Sequence, residues 1–327
     1  MPSVLNTAAA QGAGFNQLLA ATRDVFSAEI WFAALPILKF DQFTTKRTEL
    51  GVQPGRTIQI PRYGNIKRGG RLTEGKRLKT QAMSLSQQSI TVYEYGNAIA
   101  FSEYLLQTSF YDQLAAASML LGRDMAVVLD TVLRDAILNA QSVVFGGQKT
   151  ARNLVVAADT FDTIVIKDAV ETLETNNTPK WAGDHYICFM HPHQARSLRD
   201  DNDWINASLY SGATQIYTGE IGRYEDVRFI STTVMPNGAN PAIDPDTGDY
   251  VDIGFDPDLE LGAGGNQVTI YQAVFFGEYS LGHATALPVE LRDNGVEDFG
   301  REHGLAWYSI WGQNILEDVN IVVAETA

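Results

Sequence analysis

Cysteine is almost absent from this sequence: of 327 residues only Cys188 carries a thiol. An intramolecular disulfide is therefore excluded, and so is a zinc site built on several thiolates. Cys188 stands in the apolar run Tyr186-Ile187-Cys188-Phe189-Met190. That setting suits a small core residue, because a reactive thiolate needs an accessible, electropositive site. Also lacking is any run of the roughly 20 apolar residues that a bilayer-spanning helix needs, so no membrane association is expected. Residues 1–22 contain no Lys or Arg, which removes the basic start of a secretory signal, and synthesis in a cytoplasm is expected. No G-x-S-x-G or H-E-x-x-H occurs, and Gly262-Ala263-Gly264-Gly265 is followed by Asn266-Gln267, not by the Lys-Ser/Thr of a phosphate loop. Neither an enzyme nor a bound cofactor is expected.

Basic charge is scarce too. The net charge is −15, which argues against a general nucleic-acid-binding surface. Yet residues 56–79 hold Arg56, Arg62, Lys67, Arg68, Arg71, Lys76, Arg77 and Lys79 against Glu74 alone, a local +7 that leaves −22 on the remaining residues. Residues 229–291 lack Lys and Arg altogether and crowd Asp244, Asp246, Asp249, Asp252, Asp256, Asp258 and Glu260 together. Two solvated loops would show this pattern. So would complementary surfaces on neighbouring copies of one chain, which would steer assembly and fix register.

The periodicities suggest a definite order of elements. Residues 16–32 read as a short helix ending in the anchors Phe26, Ile30, Trp31 and Phe32. Residues 57–60 alternate polar and apolar as a strand closed by Pro61, and 89–95 and 97–101 read as returning strands. The basic, glycine-punctuated stretch between them forms the tip of a projecting hairpin that needs outside contacts for support. Residues 111–144 carry apolar groups at steps near 3.6, a helix of roughly 50 Å ended by Gly146-Gly147. Beyond residue 159 the texture is α/β. A helix capped by Asp162 or Thr163 leads to the strand 186–190, a His191-Pro192 turn and a helix 193–198. A strand over 225–231, an acidic insertion over 236–265, a strand over 268–274 and a terminal strand pair over 306–323 complete the chain.

The sequence offers two metal candidates. His191 and His193 have the spacing of a strand-borne pair, but Pro192 breaks the strand and no third ligand lies nearby. The run starting at Asp244 places Gly248 fifth and Phe255 twelfth, where a calcium-binding EF-hand loop needs a glycine sixth and a glutamate twelfth. No metal ligand is assigned. A soluble metal-dependent enzyme using His191, His193 and the Asp cluster stays as a rival that metal analysis would decide.

The element order resembles that of tailed-bacteriophage major capsid proteins with the Hong Kong 97-type fold. Four stretches carry the resemblance: residues 55–61, similar to the strand opening that family's extended loop; 186–200, similar to its strand, His-Pro turn and helix; 219–227, similar to a Gly-bounded turn before a strand; and 276–282, similar to a later Gly-anchored segment. The acidic insertion and the lack of a long N-terminal scaffolding region depart from the pattern. The resemblance implies an α+β fold: an N-terminal arm (1–53), an extended β-hairpin loop (54–104), a peripheral domain on a spine helix (105–152), an axial α/β domain (153–290) and a C-terminal return to the peripheral domain (291–327). It implies self-assembly into an icosahedral virion shell of hexamers and pentamers around double-stranded DNA, without sequence-specific DNA binding, and with portal, scaffolding and decoration proteins as partners. The subunit-interface residues it suggests are Arg62, Lys67, Arg68, Arg71, Lys76, Arg77 and Lys79. Encapsulin compartments share the fold and stay as an alternative.

Overall fold

The computed structural model describes residues 38–51, 55–64, 66–71, 74–75, 77, 80–108, 113–201, 203–204, 220–235, 242–243, 250–251, 268–297 and 301–327. The helix expected over 16–32 lies outside the described residues, as does nearly all of the acidic insertion. In chain order the strands are β1 (Thr45–Arg47), β2 (Thr57–Tyr63), β3 (Leu85–Thr91), β4 (Tyr93–Ser102), β5 (Val143–Phe145), β6 (Tyr186–Met190), β7 (Glu220–Tyr224), β8 (Val227–Ser231), β9 (Ala242–Ile243), β10 (Tyr250–Val251), β11 (Tyr271–Phe276), β12 (Leu281–Glu297), β13 (Glu302–Ile315) and β14 (Ile321–Thr326). The helices are α1 (Glu103–Thr108), α2 (Gln113–Leu138), α3 (Thr163–Thr175) and α4 (Pro192–Arg199). A four-stranded sheet runs β1-β12-β13-β4, a six-stranded sheet β5-β14-β11-β6-β8-β7, and β2 with β3 forms a separate ribbon.

The six-stranded sheet is buried on both faces. Strand side chains alternate between faces, so Ile187, Phe189, Ile230, Val274, Phe276 and Val323 enter one core while Cys188, Phe229, Phe275 and Val322 enter another. The first core is shared with α2 and the four-stranded sheet, and the second is closed by α3 and α4. Two-sided burial explains the unbroken apolar run in β6, all five of whose residues are buried. Cys188 is fully buried there, and burial pushes its thiol well up from the usual range. Asp162 caps α3 by accepting from the Val165 N–H at 3.0 Å.

Helix α2 has 26 residues, about 39 Å, and stops at Leu138. The expected helix over 111–144 is too long at its C-terminal end. Val143 and Val144 are β-branched and pair in parallel with Val323 and Ala324 of β14, so tertiary pairing takes them from the helix. Gly146-Gly147 follows that strand instead of ending the helix, and Gly147 has φ of 60°, with Asp159 Oδ1 only 2.1 Å from where a Cβ would sit.

Three further expectations change. Pro61 does not close β2, which continues through it to Tyr63; the ribbon has only two strands, so a residue without an N–H is tolerated. Residues 220–224 form β7, not a turn, and a two-residue turn at Glu225 and Asp226, with φ of 46° and 58°, joins it to β8. The terminal strands β13 and β14 are not a pair. The turn at 316–320 carries the chain from the four-stranded sheet into the six-stranded one.

Candidate interaction surface

The ribbon β2–β3 is exposed over most of its length. Seven cross-strand pairs, Thr57↔Thr91 through Tyr63↔Leu85, fix its register. Gly64 N–H donating to Ser84 O at 2.9 Å extends the ladder, and Lys67 exchanges two bonds with the Gln81 side chain at 2.9 and 3.1 Å. The two chain segments therefore stay side by side well past the regular strands.

The root is better anchored than composition suggested. Ile90 is fully buried against Val92 and Ala284, with Ile58, Ile60, Leu50, Ile310 and Leu316 packed around them. Asn314 Nδ2 donates to Ser89 O at 2.7 Å, and Val92 N–H to Arg56 O at 3.0 Å. The hairpin thus has a small core at its base, shared with the body, below the basic stretch.

The interface cations expected from the sequence separate into three groups. Arg62 forms an ion pair with Glu317 of its own chain at the root. Lys67, Arg68, Arg71 and Arg77 are exposed, and among the described residues none of these four has an ion pair. Lys76 and Lys79 lie outside the described residues. Sequence reasoning missed the apolar groups beside them. Tyr63, Ile66, Met83 and Leu85 are 66%, 65%, 72% and 54% exposed, values that place them outside every core of the subunit. The alternation of β2 held the signal: Ile58 and Ile60 share one face, and Tyr63, an odd number of residues away, takes the other.

His191 and His193 do other work. His191 accepts from the His193 N–H at 3.2 Å through Nδ1, and its own N–H donates to Gln194 Oε1 at 3.2 Å, a reciprocal cap on α4. His193 stacks on Tyr271 with ring centres 4.3 Å apart.

A second polar cluster lies where the N-terminal segment meets α2. Asp130, fully buried, accepts from the Lys39 N–H at 3.0 Å and the Phe40 N–H at 3.3 Å, capping from another element the short 3-10 turn Phe40–Phe43. Burial raises the Asp130 carboxyl to about 7, against the pull of those two donors. Beside it, Asp41 is raised by burial, but hydrogen bonds from His283 and Lys46 outweigh that and hold it below the usual range. Phe40 then stacks on Phe189 at 4.1 Å, tying this segment to the six-stranded sheet.

Residues 86–312 match a family model described as phage capsid protein. No curated protein matches by sequence. Among solved structures, the chain is similar to the capsid of Ralstonia phage GP4, at 18% identity over 87% of both chains with a TM-score of 0.65. It is similar to the capsid of cyanophage Pam1, at 15% identity over 87% of this chain and 88% of that one, TM-score 0.66. A virus-like particle from Pyrococcus furiosus superposes less closely, at 9% identity over 92% and 98% of the chains, TM-score 0.53.

Proposed function

The chain belongs to the phage capsid protein family, and on that premise we propose how its surfaces serve a shell. It is a major capsid protein with the Hong Kong 97-type fold, a structural subunit and not an enzyme, whose copies form the shell of the virion. The match over residues 86–312 is the observation that carries this. Our reading goes further in four respects. The shell is icosahedral and encloses double-stranded DNA, and a net charge of −15 favours a lining over which DNA slides without sticking. The six-stranded sheet with α3 and α4 is the axial unit, α2 with the four-stranded sheet the peripheral one. The basic ribbon of one copy reaches over the next, where carboxylates of that copy meet Lys67, Arg68, Arg71, Lys76, Arg77 and Lys79. Portal, scaffolding and decoration proteins join the shell, and the chain is made in the host cytoplasm.

Electron microscopy of the expressed protein tests the reading. Closed shells, or hexamers and pentamers, are expected. A sharp monomer at high concentration would overturn it. Particles from an infected host should contain DNA; a cargo enzyme in place of a genome would favour the encapsulin alternative.

A further inference from the structure

The ribbon β2–β3 has two unlike faces. Ile58, Ile60 and Ile90 turn toward the chain's own body. Tyr63 and Leu85 are directly paired, at positions of opposite parity to those three, so they stand on the face turned away. The Gly64–Ser84 and Lys67–Gln81 bonds keep Ile66 and Met83 next to them. Tyr63 and Leu85 are thus an exposed apolar cross-strand pair, and Ile66 and Met83, also more than half exposed, follow within three residues of them along the two chain segments. Scattered surface apolar residues need no explanation, but a contiguous group at the end of a projection marks a contact.

We infer that Tyr63, Ile66, Met83 and Leu85 are the anchor by which one copy holds the next, and that the surrounding cations serve to bring the copies together. The inference rests on the shell reading above and adds to it which side chains hold the contact. Charge identifies the occupant as a second copy of this chain. The segment 56–79 carries +7 and the remainder of the same chain −22, so the acidic partner that the ribbon selects is present at every neighbouring position of an assembly. The two kinds of group act on different steps. Exposed cations in high dielectric accelerate encounter and are screened by salt, whereas apolar side chains buried on contact slow dissociation and are not.

Purified full-length protein and its variants distinguish the two roles. Met83→Asp and Leu85→Asp should raise the concentration needed for assembly by about tenfold or more and shorten shell lifetime at both low and high salt. Combined Arg68→Glu, Arg71→Glu and Arg77→Glu should slow assembly at low salt, and the deficit should shrink as salt rises. Circular dichroism should show all these subunits folded; should an Asp variant fail that control, Met83→Ala and Leu85→Ala should still raise the threshold in the same direction. A photo-crosslinking amino acid placed at Met83 in assembled shells should join two chains on a denaturing gel. An unchanged threshold and lifetime for the Met83 and Leu85 variants, or crosslinks confined within one chain, would overturn the inference while leaving the shell reading intact. Failure of the unsubstituted protein to form any shell would instead remove the reading beneath it.

Discussion

The six-stranded sheet and the β2–β3 ribbon are built of the same kind of strand yet obey opposite rules. Every residue of β6 and β14 is buried, and even the buried carboxylate Glu325 is met by Arg152 at 2.6 Å and Gln272 at 2.9 Å. The ribbon buries Ile90 at its root and then exposes Tyr63, Ile66, Met83 and Leu85 beyond it. A sheet closed on both faces stabilises the subunit. A ribbon left open on one face has unspent apolar surface, and that surface gains its stabilisation only when copies meet. Subunit stability and shell stability are thus carried by different residues, which makes them separable by substitution.

The largest effect that sharpens this contrast is expected from Phe189→Ala. Phe189 is fully buried and packs between Phe40 and Phe276, with ring centres at 4.1 and 5.8 Å. Truncation should cost about 3–5 kcal/mol, read from the denaturation midpoint of the isolated subunit, whereas Met83→Ala should leave that midpoint within about 0.5 kcal/mol. Equal losses from both would dissolve the contrast. Ile90→Ala is expected to cost less, about 2 kcal/mol, since its cluster is small. Its loss should show as faster hydrogen exchange in β2 and β3 with β6 and β11 unchanged; faster exchange throughout would mean that the ribbon and the sheet unfold together.

The remaining effect is a pH dependence and concerns the junction at Asp130. Its carboxyl is raised to about 7 by burial, so the folded subunit holds that proton more tightly than the unfolded chain does. The resulting stability is fully present below the ordinary carboxylate pKa of about 4 and is lost as pH rises through about 7. Asp130→Asn keeps an acceptor for the Lys39 and Phe40 N–H groups while removing the titration. It should flatten the dependence of subunit stability on pH between those limits, and an unchanged slope in titrated denaturation would assign the titration to another group.

How much of this was legible in the sequence follows from which forces were local. The spine helix, the buried strand 186–190, the Asp162 cap and the His191 turn declare themselves through periodicity and capping chemistry that neighbours in sequence supply. Strand β12 does not. Pro288 and Asn294-Gly295 look like breakers, but they fall where its pairing with β13 shifts register, and bulges there absorb them over 17 residues. The excess length read into α2 and the false pairing of β13 with β14 share one cause: a partner more than 170 residues away, or a sheet exchange across a five-residue turn, decides the outcome. At the candidate surface, composition disclosed the basic tip. The apolar face needed the register, because Tyr63 and Leu85 become a pair only once β2 and β3 are aligned.

The position of β14 bears on how a cell makes this protein. It is the last of its sheet's six strands in sequence, yet it lies between β5 and β11, not at the rim. While the ribosome is still reading the preceding segments, β11 presents an uncovered row of backbone donors and acceptors, and β5 has nothing to pair with at all. Such an edge invites mispairing with other nascent chains. The sheet is therefore closed only by the segment from residue 321 onward, which joins β5 to β11.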